Sequence, residues 1–108
     1  MGKTKQSSGR LIPAELGKKE LLAFYRQMFL LRRFEKTAQA LLKAGVLPGF
    51  IHLYVGEEAT AVGIIAHLRR DDWITSTHRG HGHALAKGVP SNKLMAELAG
   101  KSDGCCGG

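Results

Sequence analysis

The stretch Leu21–Gly45, LLAFYRQMFLLRRFEKTAQALLKAG, governs how the rest of the chain is read. Within it Phe24, Met28, Leu31, Phe34, Ala38 and Leu41 fall at intervals of 4, 3, 3, 4 and 3 residues. A 3.6-residue period gathers those positions into a single apolar stripe. The helical pattern runs from about Pro13 to Ala44 and meets a stop at Gly45, Val46 and Pro48. Glycine there supplies the left-handed residue that closes a helix. Leu22, Tyr25 and Phe29 make a second apolar face on the same helix. A helix in a two-layer domain needs one such stripe. A helix with two predicts more protein around it than 108 residues supply.

On its N-terminal side, residues 1–12 are polar and carry Gly, Ser and Lys, so a mobile tail is expected there. On its C-terminal side, residues Leu47 to Tyr54 read as an extended turn. Gly56 then caps a second helix, with Glu57 and Glu58 complementing its dipole, running through Val62, Ile65 and Ala66 to about Leu68. Arg69 to Asp72 form a charged turn, and the alternating, β-prone Trp73 to Thr77 predict one short strand. Gly80 to Lys87 form a short helix closed by Gly88-Val89-Pro90. Ser91 is the expected N-cap of a final helix ending at Gly100. The outcome is a mostly α chain of about four helices with one short strand. A single strand makes no sheet, which again predicts a piece of a larger domain.

The bulk numbers are those of ordinary globular protein, 44% hydrophobic and 23% charged. No apolar run reaches the ~18 residues of a membrane span, so no membrane partner is expected. MGKTKQSSGR is followed by no apolar core, which argues against a secretory signal and for a cytoplasmic, bacterial setting. The net charge of +7 asks for an anionic companion, either a phosphorylated cofactor, an acidic protein or nucleic acid. The sixteen Lys and Arg are scattered along the chain, and no zinc-finger or basic-region pattern accompanies them. Cys105 and Cys106 are adjacent, a spacing that strains a disulfide, and are read as bystanders.

The densest chemistry lies in Thr77-His78-Arg79-Gly80-His81-Gly82-His83. A strand leading through glycines into a helix start frees backbone N–H groups for an anion. Arg79 adds a planar, permanently charged fork suited to phosphate oxygens. His78, His81 and His83 can donate hydrogen bonds or move protons near neutral pH. Two other readings stay open from the pattern alone. One is a surface loop with incidental histidines. The other is a metal site with His52, disfavoured because no cysteine or carboxylate support accompanies it. Gly100-Lys101-Ser102 echoes a phosphate-binding loop, but Met95 stands where that motif needs glycine.

A second cluster is Gly49-Phe50-Ile51-His52-Leu53-Tyr54-Val55-Gly56-Glu57-Glu58-Ala59. By composition its histidine is a structural group in a turn, and its two glutamates are helix-start carboxylates. Taken with Arg32-Arg33-Phe34-Glu35, Arg79-Gly80-His81-Gly82 and Ala96-Glu97-Leu98-Ala99-Gly100, it forms an ordered set. In order and spacing the set resembles the alpha subunit of the first, thiamine-dependent component of the pyruvate, branched-chain and acetoin dehydrogenase complexes. The resemblance runs from about Leu21 to Gly108. Glu57 and His78 look closest to the acetoin branch, since pyruvate enzymes more often have Gln and Tyr there.

The resemblance implies thiamine diphosphate as cofactor. Arg79 and His78 would contact its diphosphate, and His52 would lie beside its reactive ring and the substrate. His52 and His81 are thus the catalytic candidates, His81 as a supporting group, and His78, Arg79 and His52 the cofactor contacts. No residue of this chain is assigned to a metal. The Mg²⁺ ligands of the family fall C-terminal to the matched region, so residues 13–108 are expected to be the N-terminal, truncated part of the thiamine-diphosphate-binding domain. The parent subunit would carry the α/β thiamine-diphosphate-binding fold and pair with a beta subunit as α2β2. It would cleave acetoin or decarboxylate a 2-oxo acid such as pyruvate. The acyl unit would pass to a lipoyl group on an acyltransferase component, and the 108 residues alone would be inactive. Two rivals remain: a small basic module for nucleic acid or another polyanion, and a remnant that only binds a beta-type partner.

Overall fold

A computed structural model describes residues 16–108. The expected N-terminal tail, and the expected helix start at Pro13, lie outside the described residues. Four helices follow in order: α1 Lys18–Lys43, α2 Glu58–Ile65, α3 His81–Ala86 and α4 Ser91–Leu98. The six-residue α3 touches each of the other three and forms the hub of the arrangement. Beneath it a core gathers Leu31 and Phe34 from α1, Tyr54, Ala61 and Val62 from α2 and its approach, and Leu85, Ala86 and Leu94 from α3 and α4.

The α1 stripe behaves as its period requires. Leu31, Phe34 and Ala38 are buried, with Phe24 and Met28 packed at the margin. The second face stays outside: Tyr25 is 61% exposed and Phe29 56%. Their rings lie 6.4 Å apart on the helix surface. Among the described residues this is the second apolar face the sequence predicts, left without a partner.

Three helices close by one device. After α1, Val46 N–H bonds to Leu41 O at 2.9 Å and Gly45 N–H to Leu42 O at 3.0 Å, with Gly45 at φ 73°. The same paired bonds end α3 at Gly88 and α4 at Gly100. Only glycine enters this left-handed turn without steric cost.

Four expectations are corrected. The cap of α2 is Glu57, one residue past the expected Gly56, with no side-chain capping bond. Trp73 to Thr77 is extended but forms no ladder, and the described residues contain no strand. β-propensity measures fit to a half-buried sheet surface, whereas Trp73 is 98% exposed with no neighbouring strand to pair with. The second helix stops at Ile65 instead of Leu68, because His67 and Leu68 bond three residues back, to Ile64 and Ile65, and tighten the last turn. The cap of α4 is Pro90, with Ser91 as its first helical residue and no side-chain capping bond.

The charged turn holds as expected. Asp72 accepts hydrogen bonds from Arg69 N–H at 2.8 Å and from its guanidinium at 2.8 and 3.0 Å. Lys87, at the end of α3, donates to the carbonyls of Arg69 and Arg70. This clamp fixes where the chain re-enters the histidine-rich segment.

Candidate functional site

The motif blocks of the sequence turn out to be one another's contacts. Arg32 on α1 forms an ion pair with Glu58 at the start of α2. Glu35, one turn further along α1, meets His81 at the start of α3. The Arg79 guanidinium donates to the carbonyl oxygen of Leu53. His52 and His78 meet edge to face, ring centroids 4.7 Å apart. Residues spread from position 32 to position 81 therefore converge around α3.

Of the four predicted site residues, three come together on the outside. His52 and His78 are exposed, and Arg79 is half-buried beside them. Arg79 N–H also bonds to Thr77 Oγ1 at 3.2 Å, which curls the segment behind the guanidinium. Among the described residues no acidic side chain pairs with Arg79, so its charge is left for an outside anion. The expected helix-start contribution is smaller than the sequence suggests. No strand precedes the loop, and α3 has only six residues. The anion-binding capacity therefore rests on side chains: one guanidinium fork and two imidazoles.

His81 is separated from this trio. Its Nδ1 lies 2.9 and 3.2 Å from the two oxygens of Glu35, whose exposure is 0%. The Phe34 ring packs edge-on against it, centroids 6.0 Å apart. A carboxylate accepts, so Nδ1 carries the donated proton and Nε2 is the remaining nitrogen. His83, the fourth histidine examined by sequence, links Ser76 Oγ on Nδ1 at 2.6 Å to Tyr54 Oη on Nε2 at 3.1 Å. Tyr54 is buried, and burial, followed by the charges of Glu57 and Glu58, raises its phenol above the usual range. The Tyr54 ring lies so close to Gly82 that a Cβ there would come within 2.3 Å of it. That contact explains the glycine between two histidines.

Glu58 is more than a helix-start carboxylate. It is buried, and Gly56 N–H donates to its Oε2 at 3.0 Å. The Arg32 guanidinium beside it outweighs the opposing effect of burial and holds its carboxyl at about 2.

The sequence places Arg32, Glu35 and Tyr54 in motif blocks but assigns them no role in the site, and it does not single out Ser76. For Glu35 a signal existed. It sits four residues after Leu31 on the buried stripe, where an acidic residue requires a partner. An apolar cleft of about 220 Å³ lies elsewhere, lined among others by Ala61, Ile64, Ile65, Leu68, Ile74 and His83. None of His52, His78 and Arg79 lines it.

Comparison with known proteins adds a second line of observation. Residues 26–108 match the family model described as "Dehydrogenase E1 component". The alpha subunit of acetoin:2,6-dichlorophenolindophenol oxidoreductase from Bacillus subtilis is 53% identical over 93 residues, covering 86% of this chain and 28% of that protein. The corresponding subunit of Cupriavidus necator is 50% identical over the same shares. The pyruvate dehydrogenase E1 component subunit alpha of Porphyra purpurea is 47% identical over 86% of this chain and 27% of its own length. The chain thus spans little more than a quarter of the curated relatives it matches.

Proposed function

This chain belongs to the dehydrogenase E1 component family, and on that ground we propose that it supplies the N-terminal part of an alpha subunit that binds thiamine diphosphate and acts on acetoin. Membership rests on the match over residues 26–108 and on identities near 50%. Acetoin is preferred to pyruvate because the two acetoin-oxidoreductase relatives are 53% and 50% identical, against 47% for the pyruvate relative. Glu57 and His78 point the same way. Nothing in the comparisons favours the nucleic-acid reading.

The observation that carries the site is the Arg79 guanidinium held on Leu53 O beside the His52–His78 ring pair. The donor set fits an anionic diphosphate. Arg79 presents N–H groups in a fixed plane, the imidazoles add donors, and among the described residues no carboxylate neutralises Arg79. When bound, the cofactor supplies a carbon nucleophile that protein side chains lack. The chain's own residues do the rest. Arg79 and His78 bind and orient the diphosphate. His52, exposed and within reach of the same surface, holds or moves a proton at the reacting centre. His81 acts through position, because its committed bond to Glu35 sets the angle at which α3 leaves the loop.

In this reading the catalytic unit is the alpha subunit assembled with a beta subunit as α2β2. The parent fold is α/β, and Mg²⁺ is bound by residues outside this chain. The acyl product passes to a lipoyl-bearing acyltransferase in a cytoplasmic, bacterial complex. The 108 residues alone turn over neither acetoin nor pyruvate. Among the described residues no helix is long and apolar enough to cross a membrane.

The test is a cofactor titration of the assembled enzyme. Arg79→Ala is expected to weaken thiamine diphosphate binding at least about tenfold, equivalent to ~1.4 kcal/mol. Arg79→Lys recovers part of that loss, because an ammonium keeps the charge without the fork. Unchanged affinity in Arg79→Ala removes the diphosphate assignment from this loop.

A further inference from the structure

The segment after α4 is folded more tightly than its glycine content suggests. Cys106 N–H and Gly108 N–H both donate to Glu97 Oε2, at 2.8 and 2.9 Å. Gly104 lies against the helix so closely that a Cβ would come within 2.7 Å of Glu97 Cα and 2.9 Å of its nitrogen. At Gly108 a Cβ would meet the Gly100 carbonyl carbon at 2.8 Å, so residues 100–108 close into a ring around the Glu97 carboxylate. On that ring the exposed Cys105 and Cys106 offer sulfurs that lie, with a Glu97 oxygen, all within 4.8 Å of one another. Both backbone bonds fall on Oε2, which leaves Oε1 to a further partner.

We propose that Glu97, Cys105 and Cys106 form a binding site for a thiophilic divalent cation of the zinc class. Zinc takes thiolate at about 2.3 Å and carboxylate oxygen at about 2.0–2.2 Å in a tetrahedral shell, which puts ligand atoms roughly 3.5–3.8 Å apart. Closing from the present spacing needs side-chain movement on the order of 1 Å, within reach of the cysteine rotamers. The fourth position is open to water. Soft sulfur selects zinc-like ions over magnesium or calcium, while the hard carboxylate disfavours monovalent copper. On binding, each thiol releases its proton to solvent as its sulfur donates to the cation, and no redox change is involved. Sequence reading took the two cysteines as bystanders because it could not see Glu97 folded against them.

The probe is Zn²⁺ titrated into the reduced, metal-free chain against a chromophoric chelator, with Co²⁺ substitution to report sulfur ligation by its charge-transfer absorption. One equivalent is expected, with the cobalt band present. Cys105→Ser and Cys106→Ser should each weaken binding at least tenfold. Glu97→Gln and Gly104→Val keep both thiols but remove the third ligand or prevent the ring from closing, and each should weaken binding severalfold. Gly104→Val is the decisive arm, since a chain binding zinc through its cysteines in an unfolded loop would be indifferent to it. The proposal is overturned if no zinc binds at about a hundred micromolar. It is equally overturned if the serine variants bind as tightly as the parent, or if both Glu97→Gln and Gly104→Val do.

Discussion

His78 and His81 stand three positions apart in sequence, yet they occupy opposite environments. His81 is turned inward onto a fully buried glutamate, with Phe34 across its edge. His78 is turned outward and meets another exposed imidazole, His52. The inner pair is completed by this chain, whereas the outer pair offers donors that the described residues leave unused. A short helix start thus separates two demands on histidine. One nitrogen is spent holding α3 in place, and the neighbouring ring faces solvent. The family resemblance alone would have treated both as members of one motif.

The contrast makes graded predictions about stability. The largest effect is expected from Glu35→Ala, which opens a cavity and leaves the His81 N–H without its acceptor. Denaturant unfolding should report a loss of about 3 kcal/mol. Glu35→Gln, which keeps an acceptor oxygen, should lose distinctly less. Equal stability in Glu35→Ala and the parent would show that the inner pair holds nothing.

Gly82→Ala comes next. Its Cβ would press into the Tyr54 ring at 2.3 Å, so a thermal-melt comparison should show a net loss of about 2 kcal/mol despite alanine's better helix propensity. Restoration by a smaller side chain at Tyr54, such as Leu, would locate the clash.

The Arg32–Glu58 pair lies between the two extremes, its carboxylate buried and its guanidinium half-exposed. The folded state lowers the Glu58 carboxyl from 4.5 to about 2. A depressed pKa contributes stability that is present above the unfolded value and is lost as pH falls through the folded one. The unfolding midpoint should therefore decline between about pH 4.5 and pH 2, by on the order of 1 kcal/mol once solvent screening of Arg32 is allowed for. In Glu58→Gln that part of the pH dependence should flatten. A parent curve already flat over this range would contradict the ion pair.

The smallest effect on folding belongs to His52→Ala, at under about 0.5 kcal/mol, as for any exposed group with no committed partner. In the assembled enzyme the same substitution should lower turnover at saturating cofactor more than it lowers cofactor affinity. The reverse ordering would move His52 from the reacting centre to the diphosphate.

Much of this arrangement is legible in the sequence. The 3.6-residue period placed α1, the glycine stops placed three helix ends, and the surplus apolar face of Tyr25 and Phe29 emerged as expected. What escaped was pairing. The strand over Trp73 to Thr77 failed because local propensity says nothing about whether a second strand lies alongside. Glu35 escaped because a carboxylate inside an apolar stripe is ambiguous until its partner, 46 residues away, is found. Glu58 was assigned to its own helix when its main bond reaches back to α1. Local chemistry was readable, and contacts between distant segments were not. The resemblance narrowed that gap only by stating that the blocks belong together, without saying that they touch.

Trp73 gives the molecule an optical property of its own. It is the single indole in the chain and is 98% exposed. Its fluorescence therefore reports full hydration, with red-shifted emission and free access for a soluble quencher. Any surface that comes to lie over the segment between α2 and α3 must shift that emission to the blue and slow the quenching, and no other indole can confuse the signal. The residue whose β-prone side chain misled the assignment of a strand is, for the same reason of exposure, a built-in dye for whatever covers that side of the protein.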